Sequence, residues 1–184
     1  MRKPVVAAIA IVAVAMLSLA TPASAVFSVE VERVKIGLGG EIKAGSLHGR
    51  GYIDVTFTVP KPNFIDSASI TDLGAEFSLG APTPGGEHVV YEAILPAGSV
   101  VCRVAKGSDK DVCHLTHAGR SASGLEHLSM TRGSEGSWRV TLHDAHLQLP
   151  NVDYSNVRFR YTLGGDFAAG QVTMTLKGRA WVSE

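Results

Sequence analysis

The chain has 184 residues, with 17 basic and 17 acidic side chains and so no formal net charge. Phosphate binding needs clustered Lys and Arg, and no basic stripe interrupts this sequence, which excludes nucleic acid as a partner. Chemistry beyond ordinary surface charge rests on two cysteines and 7 histidines.

Residues 1–25 read as a cleaved secretory signal peptide. Arg2 and Lys3 give a positive start, Val5 to Ala20 is apolar, and Ala23-Ser24-Ala25 is a small-x-small cleavage pattern. The apolar run is short for a membrane anchor, which takes about 17–25 residues. No cysteine near the cleavage point offers a lipid anchor, and "RAWVSE" at the C-terminus carries no hydrophobic tail. Cleavage before Val26 leaves 159 residues with 15 basic against 17 acidic side chains, a net charge of −2. That length suits one domain, 26–184, burying roughly 70% of its unfolded surface. The expected mature protein is soluble, has no membrane span and is secreted or periplasmic.

From Val26 onward the hydrophobic pattern has a period of two. Phe27, Val29 and Val31 are odd-numbered, whereas Val34, Ile36 and Leu38 are even. That change of phase predicts a β-bulge near Glu32-Arg33. In "YIDVTFTV", Ile53, Val55, Phe57 and Val59 take one face and Asp54, Thr56 and Thr58 the other, as on a half-buried antiparallel strand. A short helix is the reading for 65–77, weakened by Gly74.

The segment "VCRVAKGSDKDVCHLTHAG" (101–119) holds both cysteines. Cys102 and Cys113 are equidistant from Gly107-Ser108, so a hairpin folded there sets them opposite each other. A two-residue turn would place them at a hydrogen-bonded position. A "KGSD" loop places them at a non-hydrogen-bonded one, with Cα atoms about 4.5 Å apart, and is favoured because the side chains come closer. An even cysteine count in an exported chain implies a disulfide. The competing blue-copper site would use Cys113, His117 and His88, but Met130 lies too far along for the usual ligand loop. "DKD" (109–111) is read as a charged hairpin tip, not a calcium loop, because Lys110 opposes a cation.

"GRSASG" (119–124) does not match a nucleophile elbow and reads as a loop, with Arg120 as a possible ligand contact. Trp138, Val140 and Leu142 are even but Leu147 and Leu149 odd, which predicts a second bulge near Asp144-Ala145. His143 and His146 lie there, in "HDAH". On a regular strand, residues three apart face opposite ways, and only the bulge brings the two imidazoles to one side. His114 and His117 share that spacing. Zinc wants three or four ligands, so these four histidines are metal candidates of low rank, and solvated surface histidines are the expectation. No cofactor is expected.

Val157, Phe159, Tyr161 and Leu163 form another inward row, as do Val172, Met174 and Leu176. Continuing the second alternation sets Trp181 on the polar side, with Lys177 and Arg179. A tryptophan there either stacks on a ligand or covers the edge of the fold; packing is the expectation, and Trp181, Lys177 and Arg179 are the ligand-contact candidates if a binding face exists.

Short strands between regular turns give an all-β class, an antiparallel β-sandwich (immunoglobulin-like or jelly-roll-like) of about nine strands with one disulfide-stapled hairpin. No catalytic residue emerges. The predicted mature N-terminus is Val26, which excludes a copper monooxygenase needing an N-terminal histidine, and the carboxylates are scattered. The leading functional reading is an exported, non-enzymatic module binding an envelope component, polysaccharide or protein. The alternatives are an exported copper or zinc protein using the paired histidines, and a hydrolase on a jelly-roll scaffold.

Overall fold

The computed structural model describes residues 30–38, 51–60, 66–133 and 136–183. The expected leader, Phe27 and Val29 lie outside the described residues. In chain order the elements are β1 (Glu30–Gly37), β2 (Gly51–Val59), α1 (Ser67–Leu73), β3 (Ala75–Thr83), β4 (Gly86–Leu95), β5 (Val100–Val104), β6 (Asp111–Leu115), α2 (His117–Ser123), β7 (His127–Arg132), β8 (Trp138–Leu147), β9 (Asn156–Leu163), β10 (Asp166–Lys177) and β11 (Ala180–Ser183).

The class is all-β and antiparallel, as the alternation requires. The architecture differs from the expected nine-stranded sandwich. The strands form a single sheet of eleven in the order β4-β3-β9-β10-β11-β1-β2-β8-β7-β6-β5, nearly closed into a barrel. The difference lies in β10 and β11. Residues Asp166 to Thr173 of β10 pair with β9, and Met174 to Lys177 pair with β11, which in turn bonds β1. One twelve-residue strand therefore serves both halves of the sheet. Sandwich and barrel share the same inward–outward alternation, so the pattern alone does not separate them. The expected helix is also shorter. Gly74, at φ 76, ends α1, and β3 starts one residue later.

The sheet curls back on itself, and the core shows it. Phe57 on β2 packs against Phe159 and Tyr161 on β9 (centroids 4.7 and 5.1 Å apart), although three strands separate β2 from β9 in the sheet. The inward rows read from the sequence are almost all buried: Ile53, Val55, Phe57, Val59, Val157, Phe159, Tyr161, Leu163, Trp138, Val140 and Leu142. Leu176 departs from the pattern and is 52% exposed, near the end of β10.

Among the described residues, neither β4 nor β5 bonds a second strand. The two helices cover this seam, α1 packing on β5 and α2 on β4. The Thr116 N–H and hydroxyl both donate to the Ser99 carbonyl, at 2.9 and 3.0 Å. Gly119 lies so close to Ser99 that a Cβ there would overlap its backbone. No helix of the described residues is long and apolar enough to cross a membrane.

The stapled hairpin is as expected. Cys102 and Cys113 are direct partners on β5 and β6 and form a disulfide. Their Cα atoms are 3.9 Å apart, nearer the non-hydrogen-bonded spacing. The Ala105 N–H donates to the Lys110 carbonyl, which closes the wider "KGSD" loop.

Candidate functional site

Four strands build a groove on the outer face. Across β2, β1, β11 and β10 one row reads Tyr52, Gly37, Ala180, Lys177, and the next reads Asp54, Lys35, Val182, Thr175. The first row is large at both ends and small in the middle, which hollows the surface. The resulting groove, of about 460 Å³, is lined by Lys35, Gly37, Tyr52, Lys177, Arg179, Ala180 and Val182. A Cβ on Gly37 would collide with the Tyr52 ring, so the missing side chain is what seats the ring. The Lys35 ammonium lies 5.0 Å from the centre of that ring, a cation–π contact that holds it in place. Arg179 sits in the two-residue turn between β10 and β11, where Gly178 takes φ 66. The Arg179 carbonyl accepts from the Leu38 N–H at 3.3 Å, tying the turn to the end of β1. Among the described residues, three cations and no carboxylate line the groove.

Of the expected contact residues, Lys177 and Arg179 come together there, and Lys35 and Tyr52 join them. Trp181 does not. Lys177 pairs with Ala180 across the hairpin, so the alternation resets: Trp181 faces Leu176 on one side and Ile36 on the other. It is half-buried against the core, its ring 6.4 Å from Tyr154. Its placement on the polar side is thereby corrected; continuing one strand's phase through a hairpin turn was the source of the error. Arg120 lies on α2, away from the groove lining.

Both predicted bulges occur. On β1, Glu32 is the extra residue between Val31 and Arg33. Its carboxylate accepts at both oxygens from Arg139, the guanidinium Nη2 donating to Oε2 at 2.7 Å and Nε to Oε1 at 3.2 Å, and Oε1 also accepts from the Thr58 hydroxyl at 2.8 Å. The Arg139 guanidinium holds the Glu32 carboxyl below the usual range. On β8, three residue steps oppose two on β2 between Asp144 and Leu147. His146 takes φ 59 there, the left-handed region that non-glycine residues seldom enter.

That bulge brings His143 and His146 to one side. The Glu126 carboxylate stands 3.7 Å from His143 Nε2 and 3.8 Å from His146 Nε2. His143 Nδ1 meets the Asp54 carboxylate, and His127 is its partner on β7. His114 lies on β6 opposite Ser129, and His117 opens α2 beside Ser121. Among the described residues, no three His, Cys, Asp or Glu side chains are placed to hold a metal ion. Cys113 is in the disulfide, so no thiolate is offered to copper. Asp111 at the hairpin is committed to Arg132 at 3.2 Å and to the Ser67 hydroxyl at 2.8 Å.

Inside the barrel, the Tyr91 hydroxyl on β4 donates to the Asp144 carboxylate on β8 at 3.1 Å. Burial pushes the Asp144 carboxyl up, against the opposing effects of the Tyr91 bond and the Ala145 N–H. Sequence reasoning gave this pair no role, because nothing local to either residue shows that a curled sheet will bring β4 over β8.

No family model, curated protein or solved structure matches the chain.

Proposed function

We propose that this protein is an exported, single-domain binding module acting at the cell envelope or outside the cell, with its ligand held on the outer face of β2, β1, β11 and β10. The observation that carries the reading is the convergence of Lys35, Lys177 and Arg179 around one groove whose lining, among the described residues, has no carboxylate. The disulfide supports the compartment, since such bonds persist in oxidising surroundings. Co-sedimentation of the purified mature protein with isolated cell envelopes tests it. The protein should pellet with the envelopes, and the Lys177→Ala/Arg179→Ala variant should stay in the supernatant. Equal pelleting of both proteins, or of neither, would count against the groove.

A copper or zinc protein has one observation in its favour, the flanking of Glu126 by His143 and His146. The two N···O separations exceed the ~3.4 Å edge that bonds of about 2.0–2.1 Å give a tetrahedral ion, so binding would require the side chains to close in. Calorimetric titration with zinc decides it. Submicromolar binding lost on His143→Ala would replace the groove reading.

A further inference from the structure

Resting on the groove reading, we propose that its ligand is a linear anionic glycan, one bearing carboxylate or phosphate groups, which lies along the groove between Tyr52 and Lys177. Its charge comes first. The mature chain would carry net −2, yet the groove gathers three cations and, among the described residues, no acid. Asp54, the cross-strand partner of Lys35, is turned to His143 and does not neutralise it.

Preorganisation comes second. A free lysine loses rotamer freedom when it binds, and that loss subtracts from affinity. Here Lys35 is already placed by the Tyr52 ring, and the ring is placed by the missing side chain of Gly37. Arg179 springs from a tight turn anchored to Leu38. Lys35 is therefore held before any ligand arrives, and Arg179 leaves the backbone at a point fixed by the β10–β11 turn.

Shape comes third. The groove is concave, its floor formed by Ala180 and the Tyr52 ring that covers Gly37, and among the described residues the one large aliphatic side chain in its lining, Val182, is half-buried. A chain of sugars fits an open trough; a lipid surface would need a convex apolar tip.

Isothermal titration of the full mature protein tests the proposal, with polygalacturonate as the carboxylate probe, a glycerol-phosphate polymer as the phosphate probe, dextran as the neutral control and anionic vesicles alongside. Binding to at least one polyanion is expected, falling as salt rises. Lys35→Ala, Lys177→Ala and Arg179→Ala should each weaken it by about three- to fivefold, in the range of single exposed ion pairs. Tyr52→Leu should weaken it like Lys35→Ala, whereas Tyr52→Phe, which keeps the ring, should not. Arg158→Ala, on the outer face of β9, should leave it unchanged. Groove-dependent binding to dextran or vesicles in preference to the polyanions would overturn the glycan class and leave the binding-module reading standing. Polyanion binding indifferent to all three cation variants would overturn the site. Absence of binding to every probe would overturn this proposal alone if the protein still pellets with envelopes, and both readings if it does not.

Discussion

Asp144 carries a carboxyl into the barrel, and its burial fixes the sign of a pH effect. Its folded value is raised above the ~3.9 of an unfolded aspartate. Between those two values the folded state holds more protons, so stability falls as pH rises through that window and levels off above it. Asp144→Asn should remove this fall, which urea midpoints from pH 4 upward would show as a flatter curve; parallel curves would contradict it. Tyr91→Phe removes one of the buried carboxyl's two donors, leaving the Ala145 N–H, and should cost about 1–3 kcal/mol in the same assay. Glu32 has the opposite sign, since Arg139 holds its folded value down. Its contribution is present above about pH 4.3 and lost as pH falls through the lower folded value. The pair is exposed, so Arg139→Ala should cost no more than about 1 kcal/mol by denaturant titration. The bulges near Glu32-Arg33 and Asp144-Ala145 were legible because a parity change in an apolar row needs one extra residue. Trp181 was misplaced because parity resets at a hairpin turn.

At the level of elements, close approach decides what glycine does. In α2, a Cβ on Gly119 would meet the backbone of Ser99, which cannot move without opening the corner between β4 and β5. In β3, the atoms nearest a Cβ on Gly80 would be the Glu87 side chain from Cγ to the carboxylate, which can swing away from Arg158 and Arg160. Gly119→Ala should therefore lower the melting temperature by far more than Gly80→Ala; similar losses would show that α2 does not lock the seam. The disulfide belongs to this scale too. Replacing Cys102 and Cys113 together with serine should cost about 3 kcal/mol, the chain-entropy value for so short a ring, and denaturant titration of the double variant checks it. The hairpin was readable because both cysteines and the turn lie within twelve residues. The extent of α1 was not, because a weak helical pattern ran on into β3, whose pairing with β9 is set by residues about eighty positions away.

For the molecule as a whole, alternation fixed the class and the core but not the closure. Two packed sheets and one curled sheet bury the same rows, and they differ only in whether a strand is shared. Here β10 is shared, and β11, four residues long, completes the join to β1. The groove depends on that join. Lys35 and Tyr52 come from one end of the chain and Lys177 and Arg179 from the other, so no local motif announces them. Cross-strand nuclear Overhauser effects in the mature protein test this arrangement most directly. Contacts are expected from Ala180 to both Gly37 and Lys177, and from Trp181 to both Ile36 and Leu176. Finding β11 paired with β10 alone, with no contact to β1, would separate the sheet into two and leave the groove without its wall.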